Sequence, residues 1–242
     1  MTSQPFDLAT IRRALVAGWR LANATRGVSI AYALIFVAGG VAIMGILLNR
    51  GWAPFIIPAA GAFMLVGPAI LAGFFGIAEA HEAGRPLGFG AVADGYRQAS
   101  RALWALALVC GLLFMIFVTD AAILYAYMVG GTPVWLGDIL PPGDGIARFV
   151  KWSVVSGAVV AFLLFCVSAF AVPLLCERRA GLVEAVVSSV RVVFGNFLFS
   201  IFWAFFLSTA VIASILVLPL LPLTLPWLAY ASRALYRAAL PR

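Results

Sequence analysis

Asp120 is the only acidic residue inside a long hydrophobic run of this sequence. A carboxylate within a membrane-spanning segment generally marks a proton or cation path, so Asp120 is the candidate functional polar residue. Counted from Arg101, where the run begins, Asp120 lies about 28 Å along a helix. This depth and the nearby Tyr125 and Tyr127 favour an interfacial position instead, because tyrosines concentrate where a membrane meets water. The sequence leaves both interpretations open.

The single histidine, His81, lies in the polar stretch Glu79-Ala-His81-Glu82. Such a stretch could hold a metal ion. However, it follows an apolar run and is followed by Gly84 and Arg85, which is more typical of a solvated turn. Haem-copper chemistry needs several imidazole ligands, so a lone histidine argues against it. We therefore predict a polar turn rather than a metal site.

The other residue types that support catalysis are not arranged in a recognisable motif. Cys110 and Cys166 fall in apolar runs and Cys176 follows one, and without a CxxC pair they are predicted to be reduced, small hydrophobic residues. The chain has no Walker loop and no HExxH motif, and no nucleophile can be paired with a base. We predict no catalytic residue, no metal and no cofactor, and a protein that is not an enzyme.

The elements that position these residues must be membrane helices. Of the 242 residues, 64% are hydrophobic and 10% are charged, and the mean hydropathy is +1.10. A soluble domain is about half apolar and about a quarter charged, so this chain must face lipid. The apolar runs approach the length of about 20 residues that crosses a bilayer, and they do not alternate as barrel strands do. We predict an all-α polytopic bundle in a single membrane domain, with about six spans at Val28–Leu48, Pro54–Ala78, Ala102–Met128, Trp152–Pro173, Phe197–Leu218 and Leu220–Leu235.

The last two spans could instead be one kinked helix. Pro219 and Pro222 offer a stop and a restart near the middle of this run, which favours a hairpin. Six spans also place thirteen basic residues on the N-terminal side of the membrane and three on the other, whereas five spans give ten and six. The positive-inside rule therefore predicts six spans in a bacterial inner membrane, with both termini in the cytoplasm.

Short amphipathic segments precede the first, third and fifth spans. In residues 6–22, Leu8, Ile11, Leu15 and Trp19 recur at helical spacing, and residues 89–99 and 183–194 repeat such a pattern. Each segment is predicted to lie in the inner membrane interface, in preference to packing on another helix. The interfacial basic residues are Arg12, Arg13, Arg20, Arg101, Arg178, Arg179 and Arg191.

This order predicts three units of one plan: an interfacial helix, a span, a short outer loop and a second span. Asp94 and Arg101 can be superposed on Glu184 and Arg191, with an acid near the start of each segment and an arginine seven residues later. An acid and a base placed in this way suit any helix dipole, so the superposition does not establish common ancestry.

Small residues in the second span predict close helix packing. Ala69 and Gly73, and likewise Ala72 and Gly76, form overlapping pairs four residues apart. Such pairs let another helix approach closely, and that helix could be internal or a partner's.

Several short motifs resemble an uncharacterised bacterial family of integral membrane proteins, sometimes labelled cytochrome c oxidase subunit I-like. They are Ile11 to Trp19, Gly73 to Gly84, Pro173 to Arg178 with Ala185, Ser188, Ser189, Arg191 and Asn196, and Leu218 to Tyr230. The family ending commonly has histidines beside the tryptophan, where this chain has Leu223 and Leu228. The resemblance implies a membrane bundle, and it transfers no metal or haem role to these positions.

Two functions from different classes follow as expectations. The first is a non-enzymatic accessory or assembly component of a larger membrane complex, whose partners are the lipid bilayer and other membrane protein subunits. The alternative is a small transporter or channel that uses Asp120. Nucleic acid is not an expected partner, because the arginines follow the membrane edges rather than forming one stripe.

Overall fold

The computed structural model describes residues 4–52, 55, 67–130 and 144–241. These residues form α-helices joined by short turns, which confirms the predicted all-α membrane bundle. The helices are α1 Leu8–Ala24, α2 Arg26–Asn49, α3 Gly67–Glu82, α4 Phe89–Gln98, α5 Arg101–Val129, α6 Asp144–Ser168, α7 Ala171–Cys176, α8 Leu182–Gly195, α9 Phe197–Leu216 and α10 Leu221–Ala239.

Local sequence sets the helix ends. The Asp7 carboxylate accepts a hydrogen bond from the Thr10 backbone N–H at 2.8 Å, which caps the start of α1. The Ser100 hydroxyl caps α5 in the same way. Gly130 ends α5 in the left-handed region at φ 75°, where a residue without a Cβ is favoured.

Four segments of the described residues are long and apolar enough to cross a membrane: Arg26–Asn49, Arg101–Met128, Gly145–Cys176 and Phe197–Leu216. The first part of the predicted span Pro54–Ala78 lies outside the described residues, and α3 is its remainder. The predicted sixth span is α10, whose arginines lower its hydropathy. The multi-pass character is thus confirmed, and the number six stays a prediction.

The C-terminal apolar run is a hairpin, as predicted, and not one kinked helix. The hydroxyls of Ser214 on α9 and Thr224 on α10 are 2.7 Å apart, although ten residues of continuous helix would separate them by about 15 Å. Further from the turn, the rings of Phe206 and Trp227 have centroids 6.3 Å apart. A short 3₁₀ turn, Leu218–Leu220, reverses the chain.

The predicted span Trp152–Pro173 lies within the candidate span Gly145–Cys176, and its helix is interrupted between α6 and α7. The Ser189 hydroxyl of α8 accepts a hydrogen bond from the Phe170 N–H at 3.1 Å and donates one to the Cys166 carbonyl at 2.8 Å. It is thus inserted into the bond that these two groups would make in an unbroken helix. Pro173 follows, and it has no N–H for the next turn.

The described helices can be grouped in the order of the predicted three units, α1 to α3, α4 to α7, and α8 to α10. That α3 and α10 cross the membrane as second spans stays a prediction. The first span of each unit, α2, α5 or α9, buries few of its side chains, between 11% and 28% of its most apolar window. The second span is buried at its end, and residues 171–175 of α7 are buried without interruption. The core therefore lies where α3, α7 and α10 meet.

In the second and third units, the first helix lies on the surface and packs on the second span of the preceding unit. In the first unit, α1 packs on α10, the last helix of the chain, so the three units form a closed ring. A Cβ on Gly18 of α1 would lie 2.8 Å from the Trp227 carbonyl oxygen and 2.5 Å from the Ala231 nitrogen of α10. The chain ends meet at the same place, where the Gln4 N–H donates to the Ala239 carbonyl at 3.0 Å.

The second contact of this kind joins α4 to α3. A Cβ on Gly95 would overlap the Ala72 carbonyl oxygen and lie 2.9 Å from the Gly76 Cα. Gly73 faces the Tyr32 ring of α2 in the same close manner. The small pairs of the second span therefore serve packing within this chain, which resolves the alternative that the sequence left open.

Ser189 of α8, described above, makes the third such contact. We call the contacts at Gly18, Gly95 and Ser189 joints, and they share one geometry. In each, a small residue of a surface helix meets a backbone carbonyl and the residue four positions later on a second span. The pairs are Trp227 and Ala231, Ala72 and Gly76, and Cys166 and Phe170. Because four residues are about one helical turn, the three surface helices cross their partners in the same register.

Each surface helix has a buried face at its joint and a separate exposed apolar face. Leu8 and Trp19, on the predicted apolar face of α1, are 55% and 48% exposed, and their position in the membrane interface stays a prediction. In α8, Val183 and Phe194 are exposed while Ser189 is buried. Packing on another helix, the alternative that the sequence disfavoured, accounts for the buried face, and the exposed apolar residues form a separate face.

Circular permutation tests the ring. A chain that begins at Leu87, passes through the joined original ends and finishes at Pro86 interrupts only the loop between α3 and α4, so all three joints are kept. We expect monodisperse protein in detergent with an unfolding temperature close to that of the parent.

A permutant opened at Gly95 is the matched control, because it cuts a helix at a joint and should be markedly less stable. The ring is refuted if the two permutants behave alike, whether both are stable or both aggregate.

Candidate functional site: an arginine–glutamate cluster where three helices meet

Charged side chains converge at the ends of α3, α7 and α10. We call this group the Arg–Glu cluster, and it consists of Glu82, Glu177, Arg179, Arg233, Tyr236 and Arg237. Its residues lie on α3, in the turn that follows α7, and on α10, so each of the three units contributes to the cluster.

Arg233 is the buried centre of the cluster. Its side chain is 6% exposed, and its two terminal nitrogens donate to the two Glu82 oxygens at 2.6 and 3.0 Å. Arg237, one turn further along α10, donates to Glu82 at 3.0 Å and to Glu177 at 3.0 Å. The paired fork of Arg233 is the strongest geometry for an arginine and a carboxylate.

Arg179 ties the turn after α7 to the end of α10. Its guanidinium donates to the Tyr236 hydroxyl at 2.8 Å and to the carbonyls of Leu240 and Pro241, both at 2.9 Å. The Tyr236 hydroxyl in turn donates to Glu177 at 3.3 Å. A cation at a helix C-terminus satisfies carbonyls that have no partner within the helix.

The cluster shifts the titration of its members. Burial alone would raise the pKa of Glu82, but hydrogen bonds and positive charge from Arg233 and Arg237 outweigh it, so the pKa lies below its ordinary value. Burial, followed by the negative charge of Glu177, raises the pKa of Tyr236 to about 12. At neutral pH the carboxylate is therefore charged and the tyrosine is a neutral hydrogen-bond donor.

A small cavity of about 20 Å³ adjoins the cluster. Glu79, Gln98, Cys176 and Glu177 line it together with Arg233, whose Nε–H has no hydrogen-bond partner among the described residues. This volume holds about one water molecule, and a buried water needs polar partners of this kind.

The structure corrects the predicted polar turn. Glu79, His81 and Glu82 lie in the last turn of α3, and Glu82, whose side chain is 44% exposed, is bound by two arginines. His81 is exposed. In the described parts of the chain, no three His, Cys, Asp or Glu side chains are grouped so that they could hold a metal ion.

The predicted site residues do not come together. Asp120 is exposed on α5. Arg179 belongs to the Arg–Glu cluster, whereas Arg178 donates to the backbone carbonyls of Gln98 and Arg97. The remaining interfacial basic residues, Arg12, Arg13, Arg20, Arg101 and Arg191, are exposed.

Sequence reasoning missed the role of Arg233 and Arg237, which it counted only as basic residues of the tail. A signal was present, because residues four apart share one face of a helix. This face is otherwise occupied by Pro226, Ala229 and Tyr230, which are buried. Arginines on a buried face must be paired, and glutamates at the ends of two other spans were the available partners.

The family model described as "Predicted integral membrane protein (DUF2189)" matches residues 56–177, half of the chain. The chain belongs to this family. The match confirms the resemblance to an uncharacterised family of integral membrane proteins. No curated protein and no solved structure matches the chain.

The DUF2189 match runs through α3, α4, α5, α6 and α7. It contains the joint between Gly76 and Gly95 and both glutamates of the Arg–Glu cluster. Arg233 and Arg237, on α10, lie outside it. The cluster therefore joins the matched DUF2189 region to the C-terminal part of the chain.

Replacing Arg233 by Met tests the cluster. Glu82 would keep Arg237 and some water, so we expect the free energy of unfolding to fall by about 2 kcal/mol, less than for a fully buried pair. Chemical or thermal unfolding in detergent measures this change.

Arg97→Met is the matched control, because the Arg97 side chain is 81% exposed and lies 3.8 Å from Asp94. It should change the free energy of unfolding by less than about 0.5 kcal/mol. Equal effects of the two substitutions would show that the cluster does not hold the helices together.

Proposed function

We propose that the protein is a non-enzymatic multi-pass membrane protein that serves as an accessory or assembly component of a larger membrane complex, and that a transmembrane helix of its partner packs on α2. The exposed face of α2 is the observation that carries this proposal. Of its most apolar window, only 11% is buried within the chain, the smallest share among the candidate spans of the described residues.

The chemistry of this face suits a helix better than lipid alone. Ala38, Gly39 and Ala42 adjoin on the exposed side of α2. A Cβ on Gly39 would meet nothing within 4 Å, so packing within the chain gives no reason for a glycine there. In membranes, small residues at an interface let two backbones approach and gain van der Waals contact.

Burial separates α2 from α5. Large side chains are exposed on both helices, such as Ile35, Ile43 and Ile46 on α2 and Leu108 and Met115 on α5. However, 22% of the most apolar window of α5 is buried within the chain, twice the share for α2. The smaller buried share of α2 supports it as the helix that receives a partner.

The polar side chains of the bundle support a structural role. The Tyr32 and Tyr96 hydroxyls are 2.6 Å apart, and the Tyr230 hydroxyl is 2.7 Å from that of Ser29. These contacts hold neighbouring helices of the same chain together. The transporter alternative rests on Asp120, and the exposed position of that residue on α5 gives it no path through the bundle.

Gly39→Leu tests the partner surface. The substitution adds no clash within the chain, so the protein should fold and insert normally, while a partner helix would be kept away. Co-purification after gentle solubilisation, quantified by mass spectrometry, should lose a stoichiometric partner in this variant.

Gly111→Leu on α5 is the matched control, because a Cβ on Gly111 also meets nothing within 4 Å. It should retain the partner. If the parent protein carries no stoichiometric partner, or if both variants retain it, the proposed function or its assignment to α2 is wrong.

We also propose that both termini lie in the cytoplasm of a bacterium. The neighbouring positions of Gln4 and Ala239 support a shared side, and the excess of arginine supports the inner one. Reporter fusions are expected to be external after Leu48, Val129 and Leu218, and internal after His81, Arg179 and Arg242. An external signal at Arg242 would leave five spans.

A further inference from the structure

The joints define a register for the three surface helices. Aligning Gly18, Gly95 and Ser189 superposes residues 14–22, 91–99 and 185–193, which read ALVAGWRLA, AVADGYRQA and AVVSSVRVV. All three begin with a buried alanine, place a small residue at the joint and carry an arginine two positions later. The arginines are Arg20, Arg97 and Arg191.

The turns that precede two of these helices support the same register. Gly84 and Arg178, 94 positions apart, both adopt the left-handed conformation, at φ 64° and 51°. Each ends a second span with the same pair of backbone hydrogen bonds. The N–H of the left-handed residue donates to the carbonyl three positions earlier, and the next N–H donates to the carbonyl five positions before it. Gly95 and Ser189 are separated by the same 94 positions. The superposition of Asp94 on Glu184 expected from the sequence is therefore wrong by four residues, one helical turn.

Packing explains the alanine and the small residue but not the arginine. Arg20 and Arg191 are exposed and make no hydrogen bond or ion pair within the described residues. Arg97 is 81% exposed, with only a 3.8 Å ion pair to Asp94. By contrast, Arg179 is held by three hydrogen bonds. The guanidinium groups at the shared position are thus available to a ligand outside the chain.

The surroundings of these arginines indicate the ligand. Exposed apolar side chains flank them, including Val16 and Trp19 on α1 and Val187 and Phe194 on α8. A helix with exposed apolar and basic residues lies at a bilayer surface, with its cations at the level of the headgroups. A guanidinium matches the two oxygens of a phosphate, and an anionic lipid adds net charge attraction.

We propose that Arg20, Arg97 and Arg191 form three equivalent sites, one per unit, each binding the phosphate of an anionic phospholipid in the leaflet that faces the surface helices. The ring of joints places one site beside each joint, so the lipids surround the bundle at three places. This proposal does not depend on the accessory function.

Native mass spectrometry of the full chain, exchanged from nanodiscs containing phosphatidylglycerol or phosphatidylcholine, tests the sites. The parent protein should retain phosphatidylglycerol in preference to phosphatidylcholine. Each of Arg20→Gln, Arg97→Gln and Arg191→Gln should weaken this retention about fivefold at one site, the effect of one basic residue near an anionic surface. The triple variant should lose the preference.

The matched control removes three other exposed arginines of the same side in Arg12→Gln, Arg26→Gln and Arg101→Gln. It changes the net charge equally, so it should keep the preference if the sites are specific. Equal loss in both triple variants would show general charge attraction and overturn the proposal, as would retention in both.

A competition with inorganic phosphate and the single variants complete the test. Inorganic phosphate added at equal concentration should not displace the lipid, and displacement would assign the sites to a soluble phosphate instead. If the triple variant does not fold, the single variants carry the test, because each changes one exposed side chain. Single variants that retain phosphatidylglycerol as the parent does would then overturn the proposal.

Discussion

Three close helix crossings, at Gly18, Gly95 and Ser189, determine how the helices of this protein are arranged. In a bilayer, apolar surfaces gain little by leaving lipid for one another, so association depends on van der Waals contact and hydrogen bonds at short distance. Each crossing fixes a surface helix on the second span of the preceding unit. Because α1 is fixed on α10, the last crossing closes the chain into a ring, and the spans of neighbouring units are brought into register.

The Arg–Glu cluster follows from this ring. Once the joints bring the ends of α3, α7 and α10 together, Arg233 is buried and needs a partner, which Glu82 supplies. A buried ion pair of this kind adds less to stability than its short distances suggest, because both charges must be desolvated. The contacts of the cluster fix the relative positions of the helix ends, since Arg237 bonds to both Glu82 and Glu177 and Arg233 bonds to Glu82. The joints thus provide close packing, and the cluster links the helix ends through charged hydrogen bonds.

The sequence predicted the elements better than their neighbours. Apolar runs and Pro219 were enough to place four candidate spans and the C-terminal hairpin, because length and proline act locally. Which apolar residues of α1 and α8 pack on protein could not be predicted, because hydropathy does not distinguish a side chain that contacts lipid from one that contacts protein. Trp19 and Ile11 have similar apolar character, yet one is exposed and the other is buried. The role of Glu82 was missed for a related reason, since its partner, Arg233, lies 151 positions away.

The joints also explain why, within the described residues, the opposing helix is broken at only one of the three contacts. At Gly18 and Gly95 the absence of a side chain lets the opposing helix continue without interruption, since a Cβ there would overlap its backbone. The third joint has a serine at the same position, and its hydroxyl cannot fit unless the opposing helix opens. It enters the bond between Phe170 and Cys166 and satisfies both groups, so the opening costs little in hydrogen bonding. The same close crossing is therefore reached in two ways. At two joints the residue has no side chain, and at the third the side-chain hydroxyl takes part in the backbone hydrogen bonds of the opposing helix. The second arrangement redirects the chain at α7, which carries Glu177 to the Arg–Glu cluster.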